Sequence, residues 1–120
     1  MDAFLFILQL VVALGILNVW LIRFSKPSPY RGGNATNMVE EFGEYGLSAP
    51  LVWIVGTLKV LAAIGLILGL FVPTLTLPSA LLLVFLMTAA VSMHIRIKDK
   101  AHKSAPAATI LLLSLVVVIL

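Results

Sequence analysis

A chain of 120 residues that is 62% hydrophobic, with a net charge of +3 and no cysteine, reaches a mean hydropathy of +1.17, well beyond the roughly half-apolar make-up of a soluble domain. The missing cysteines exclude disulfide exchange, thiolate nucleophiles, thiolate metal sites and Fe–S clusters, and with them four-helix membrane redox enzymes that work through a Cys pair. The basic balance does not point to nucleic acid, since no aromatic residues interleave with the basic ones to stack on bases.

The apolar excess is gathered into runs at residues 3–22, 51–72, 75–94 and 105–120. About 20 residues cross a hydrocarbon core of about 30 Å. The first three runs qualify; the last is short and fits if it starts near Ser104 or the bilayer thins around it. The predicted fold is an all-α membrane protein, one domain over residues 1–120, built as a four-helix transmembrane bundle. The first run follows an acidic Met1-Asp2 start and ends without a small-x-small cleavage pattern, so it reads as a retained helix and not a cleaved signal.

The first loop, residues 23–49, is the only sizeable polar segment. It carries Arg23, Lys26 and Arg31 and opens with a turn-rich Pro27-Ser28-Pro29 stretch. Asn37 followed by Glu40 has the spacing of a capping box. Met38, Phe42 and Tyr45 then share one helical face, and Gly46 stops the helix. The pattern predicts a short amphipathic helix at about residues 37–45, lying at the membrane interface over the inner end of the bundle. Asn34-Ala35-Thr36 fits a glycosylation pattern but falls on the face assigned below to the cytoplasm.

Between the second and third runs, Val72-Pro73-Thr74 makes a tight turn, so those helices are predicted to be antiparallel neighbours. Pro78 suits a first helical turn, where its missing N–H costs little. The loop after the third run carries Arg96, Lys98, Lys100 and Lys103. Seven of the eight basic residues thus lie in two loops. Positive loops stay cytoplasmic, which predicts both basic loops inside and both termini outside. Trp20 and Trp53 fall near the inner interface, where amphipathic rings are favoured.

The eighth basic residue, Lys59, lies inside the second run, roughly 13 Å from its inner edge. A charge at that depth costs about 2.5–3.5 kcal/mol and faces the bundle or a cavity. Gly56, Ala62 and Ala63 share its face, and Gly65 and Gly69 form a GxxxG beside it; small residues let helix backbones approach. Asn18, Thr88, Ser92 and His94 fall at similar depth, and Gln9 lies deeper in the first run. One reading brings Lys59, Asn18, Ser92 and His94 together as a ligand site, with Gln9 and Thr88 as further polar groups and a loop glutamate, Glu40 or Glu44, as counter-ion. The other has Lys59 snorkelling to the headgroups while the rest make packing hydrogen bonds. His94 and His102, eight apart in the sequence, do not make a metal site. No Ser-His-Asp set, phosphate loop or carboxylate pair is present, and Asp99 is the only acid near His94.

Gly56-Thr57-Leu58-Lys59-Val60-Leu61-Ala62-Ala63-Ile64-Gly65-Leu66-Ile67-Leu68-Gly69-Leu70, then Val72-Pro73, then Met87-x-x-Ala90-x-x-x-His94, preceded by Tyr45-Gly46-Leu47, resembles the DoxX-like family of small four-helix bacterial membrane proteins. The resemblance spans roughly residues 4–120. It implies a link to membrane oxidoreductases, since the family takes its name from a small subunit of a thiosulfate:quinone oxidoreductase. Many members carry an acid in the second helix near the position of Lys59, and here a lysine occupies that region, so an acid-dependent role does not carry over. The first functional expectation is a non-catalytic small subunit or assembly factor, not an enzyme on its own, with the lipid bilayer and other membrane subunits or further copies of itself as partners. The second is a quinone- or lipid-binding component of an oxidoreductase; no other cofactor is expected. The third is a small anion or solute transporter, disfavoured because small multidrug transporters of this size need a membrane-embedded Glu.

Overall fold

Aliphatic and aromatic residues, interrupted by no proline, carry the first run into α1, Ala3–Leu17. The computed structural model describes residues 3–120; the Met1-Asp2 start lies outside the described residues. At its end α1 widens into one π-helical turn, Asn18–Ile22, closed by the Arg23 N–H on the Asn18 carbonyl at 2.9 Å. The remaining helices are α2 at Met38–Glu44, α3 at Ala49–Leu68, α4 at Thr76–Arg96 and α5 at Ala101–Ile119. A 3₁₀ turn at Pro73–Leu75 links α3 to α4. Among the described residues no strand forms.

The long helices pack in a ring: α1 on α3, α3 on α4, α4 on α5 and α5 back on α1, with α2 against α3. Four segments, Ala3–Ile22, Ala49–Leu68, Pro73–Arg96 and Ala101–Ile119, are long and apolar enough to cross a membrane. The molecule is 42 Å long, close to the roughly 40–45 Å of a bilayer with its headgroup regions. Phe4, Leu21, Phe71, Phe85 and Ile119 are exposed on the outside of the ring, where an apolar side chain is stable in lipid and not in water. This is a multi-pass helical membrane protein.

Several boundaries differ from the sequence expectation, α3 beginning two residues early at Ala49. Helix α5 begins at Ala101, ahead of the expected start near residue 105, because the residues from Ala101 to Ser104 form a polar first turn and Lys103 anchors it by donating from Nζ to the Gly33 carbonyl. This turn places Pro106 inside the helix. Helix α3 stops at Leu68, short of residue 72, because the Leu70 N–H turns to Ile67 at 3.1 Å, and the Leu66 carbonyl is capped instead by Gln9 Nε2 from α1 at 3.1 Å. A helix end must find partners for its last carbonyls, and here a buried amide from the neighbouring helix supplies one. Helix α4 runs on past His94 to Arg96, two residues beyond the expected end.

The small residues of α3 each have a definite neighbour. A Cβ on Gly65 or Gly69 would collide with Ser79 and Thr76 of α4, respectively, and Ala62 and Ala63 are buried beside them. Gly56 faces α1 and not α4: a Cβ there would come 2.6 Å from the Trp20 ring. Trp20 is therefore inside the bundle, unlike Trp53, which is 61% exposed. Phe24 stacks on Trp53 at 5.4 Å and tilts against Trp20 at 5.9 Å.

Candidate functional site

Helix α2 is fixed at one end by capping side chains and at the other by a glycine turn. Asn37 Oδ1 accepts the Glu40 N–H at 2.8 Å. Glu40 returns to the Thr36 N–H and hydroxyl, at 3.0 and 2.8 Å, one residue earlier than a regular capping box. The Thr36 backbone bond leads the contacts that hold the Glu40 carboxyl below its usual range. At the other end Gly46, with φ of +78°, closes a Schellman turn: the Gly46 N–H reaches Gly43 and the Leu47 N–H reaches Phe42. Met38, Phe42 and Tyr45 are all buried, so the apolar face of α2 covers the end of the bundle.

The end of α4 uses the same turn. The Lys98 N–H bonds Ile95 and the Asp99 N–H bonds His94, with Lys98 in the left-handed region at φ 58°. That turn swings Asp99 back beneath His94, so that Asp99 Oδ2 lies 2.7 Å from His94 Nδ1. Asp99 Oδ1 accepts the Gly33 N–H at 3.1 Å, and Lys103 donates to the Gly33 carbonyl. Tyr30 meets His102 edge to face at 6.4 Å. The two basic loops are thereby clasped at one end of the bundle.

Between them runs a continuous polar chain. The Tyr45 hydroxyl donates to Glu41 Oε2 at 2.7 Å and lies 3.2 Å from His94 Nε2. Arg31 is buried; it donates to Glu41 Oε1 at 3.4 Å and to the carbonyls of Arg23, Phe24 and Lys26. Arg31 thus ties the first loop together, a role its reading as a topology charge does not include. Burial and the nearby Glu41 push the Tyr45 hydroxyl well above its usual pKa, so it keeps its proton. Burial raises the Asp99 pKa, but the bonds from His94 and Gly33 and the Lys103 charge outweigh it and leave the carboxyl below its usual range.

This chain borders a cavity of about 540 Å³ at the same end of the ring. Its size falls in the range of about 300–1,000 Å³ typical of small-molecule sites. Val55, Leu86, Met87, Met93, Ala107 and Ile110 give it apolar walls. Lys59 also lines it, with its ammonium 5.1 Å from the centre of the Trp20 ring. Among the described residues no carboxylate comes within ion-pair distance of Lys59; a cation over an indole face is worth about 0.5–2 kcal/mol.

Of the residues singled out in the sequence, Lys59, His94 and Asn18 line this cavity. Ser92 and Thr88 do not: both are exposed, and each hydroxyl donates to the carbonyl four residues back, Thr88 and Val84, at 2.8 and 2.7 Å. At about 100° per residue, Ser92 faces away from His94, whereas Met87 and Ala90 share its side. Gln9 lies in the other half of the bundle, bonded to Leu66 and Thr76. Glu40 is occupied by its capping bonds and Glu44 is exposed; the loop carboxylate at the cavity is Glu41. Trp20, Arg31, Glu41 and Tyr45 join the site without having been assigned to it from the sequence. Tyr45 was legible only as one side of an amphipathic helix.

Four spans in a ring, with an apolar-walled cavity bordered by polar groups at one end, define a small integral membrane protein of the helical-bundle class. A family model described as the DoxX-like family matches residues 7–117, and the chain belongs to that family. No curated relative and no solved structure matches the chain.

Proposed function

We propose that this protein is a non-catalytic component of a membrane assembly that holds one amphiphilic molecule, a quinone or a lipid, with its head at Lys59 and its tail along the apolar wall. The observation that carries the reading is the Lys59 ammonium: it lines a cavity with apolar walls, stacked on Trp20 and, among the described residues, without a carboxylate in ion-pair distance. A quinone carbonyl or a lipid head is an acceptor that such an ammonium bonds, and a desolvated charge gains most from that bond. Asn18 and Pro106, exposed on the adjacent helices α1 and α5, border the same cavity, a seam through which a lipid-soluble molecule can arrive from the bilayer. The family's link to membrane oxidoreductases supports the quinone among the candidates. The basic loops are assigned to the cytoplasmic side of a bacterial inner membrane, with both termini outside and α2 at the inner interface.

The test is native mass spectrometry of protein extracted from its own membranes in mild detergent, paired with saturation binding of decylubiquinone. A quinone- or lipid-sized adduct that Lys59→Met loses, with the helical content unchanged, supports the site. An adduct kept by Lys59→Met, or neither adduct nor saturable binding in the unsubstituted protein, overturns it. A second polypeptide in the same spectrum would supply the larger assembly; a bare chain or homo-oligomer would remove that part of the reading.

A further inference from the structure

The hydrogen atoms of the chain Glu41–Tyr45–His94–Asp99 have to be allotted, and with His94 neutral there are not enough of them to satisfy every contact. An ionised Asp99 only accepts, so His94 Nδ1, 2.7 Å away, carries a hydrogen. The Tyr45 hydroxyl has one hydrogen and two neighbours, Glu41 Oε2 at 2.7 Å and His94 Nε2 at 3.2 Å. If that hydrogen goes to Glu41, the shorter contact, the Nε2 contact is a bond only when Nε2 is itself a donor. All three contacts are hydrogen bonds at once only when the ring is doubly protonated. When Nε2 loses its hydrogen, Tyr45 can serve Nε2 or Glu41 but not both.

Glu41 is the group whose partner then changes. Its Oε1 stays with Arg31, but its Oε2 is freed on the wall of the cavity it shares with Lys59. Among the described residues, the other charged groups lining the cavity are Arg23 and Arg31 from the first loop and Lys103 from α5, with Asp99 on His94; Glu44 lies at Gly33, and Lys98 and Lys100 lie beside Asp99, outside the cavity. Arg31 is committed to loop carbonyls and Lys103 to Gly33, and Asp99 is committed to His94 and Gly33.

We propose that the proton on His94 Nε2 decides whether Tyr45 holds Glu41 away from Lys59, so that an acceptor-bearing head group binds Lys59 with uptake of one proton at His94. With the ring doubly protonated, Tyr45 keeps Glu41 and Lys59 is open to the ligand. With the ring neutral, Tyr45 turns to Nε2, and the released carboxylate competes for the ammonium. This regulation rests on the ligand reading above, but its proton part stands on the Tyr45–His94 geometry alone.

Two measurements on full-length protein in nanodiscs test it. In the first, His102→Gln leaves His94 as the single imidazole, and ¹⁵N-histidine NMR follows its ring nitrogens from about pH 5 to about pH 8, the range in which imidazoles change charge. The expected result is two protonated nitrogens at the acid end and Nδ1 alone at the other, with the transition displaced in Tyr45→Phe. A ring that keeps one state throughout, or a transition that Tyr45→Phe does not move, overturns the proposal. The second measurement is decylubiquinone affinity over the same range. It is expected to weaken about tenfold toward high pH, a usual size for coupling between two sites. Glu41→Gln, which removes the competitor, should bind tightly and without pH dependence; Tyr45→Phe, which frees Glu41 at every pH, should bind weakly and without pH dependence. Loss of affinity in both variants alike, or a pH slope that survives in both, overturns the switch. If decylubiquinone fails to bind the unsubstituted protein at any pH, the ligand reading falls, and the ring-nitrogen transition alone decides the proton part.

Discussion

Replacing Gly56 by Ala adds one methyl group to a helix, and the structure gives that change a definite sign. In an open helix it stabilises by about 1 kcal/mol, because Ala has the higher helix propensity. At Gly56 the new Cβ would lie 2.6 and 2.7 Å from two carbons of the Trp20 ring, more than an ångström inside contact distance. The ring cannot yield cheaply. Phe42 packs edge-on against it at 6.1 Å, Phe24 tilts on it at 5.9 Å, and the Lys59 ammonium lies 5.1 Å from its centre. Overpacking of this kind costs about 1–3 kcal/mol, so after the propensity gain the net loss is roughly 0–2 kcal/mol. Gly43 is the internal control: it lies in α2, and a Cβ there meets nothing within 4 Å. Gly43→Ala should therefore stabilise by about 0.5–1 kcal/mol. The assay is thermal unfolding in one detergent, with tryptophan fluorescence to report the displaced Trp20. If both variants moved in the same direction and Gly56→Ala left the emission unchanged, the Trp20–Gly56 contact, and with it the placement of Lys59 over the indole, would be refuted.

Lys98 holds a left-handed conformation at φ 58°, which costs a residue with a Cβ about 1–2 kcal/mol. Lys98→Gly should raise the unfolding midpoint by roughly 4 °C while leaving the His94–Asp99 bond in place; a lower midpoint would mean that the turn does not form as described. Asp99, despite burial, is held below its usual pKa by the His94 and Gly33 bonds and the Lys103 charge. Its share of stability is present above the ordinary value of 3.8 and is lost as the pH falls through the lower folded value. Unfolding followed from about pH 5 to about pH 2 should show this acid slope reduced in Asp99→Asn, and an unchanged slope would assign it to other carboxylates. A reporter fused after Leu120 should be active on the periplasmic side; activity in the cytoplasm would reverse the assigned orientation.

The spans were legible because a continuous apolar run has few alternatives once it exceeds the thickness of a bilayer. The partnership of the two basic loops was legible only as topology: charge counting puts them on one side, but the clasp depends on one backbone group, Gly33, meeting both Asp99 and Lys103. Those partners are separated from it by 66 and 70 residues, and no local pattern encodes such a pairing. Trp20 was placed by its depth near the inner end, where it packs against Phe24 and Phe42; its burial was not part of that reading, although a count at 3.6 residues per turn already sets it on the face of the buried Ala13 and Ile16. Thr88 and Ser92 were a different kind of error. They were grouped with His94 by depth along the helix, while side-chain direction depends on angle as well as depth. The i, i+3, i+7 set Met87, Ala90 and His94 was already present in the sequence and is the one that lines the cavity.

The same distinction explains how a buried lysine is accommodated without a membrane-embedded acid. Depth alone leaves Lys59 at a cost of about 2.5–3.5 kcal/mol. Angle places it with Gly56, and the absence of a side chain there lets Trp20 approach. The π turn and the glycine together bring an aromatic face under the ammonium, and α2 brings Glu41 to the wall of the same cavity. A carboxylate at bonding distance would satisfy the cation permanently and close the site to any other acceptor. A ring face and a carboxylate retained by Tyr45 stabilise the charge partly, and that partial compensation leaves the ammonium able to bind a ligand.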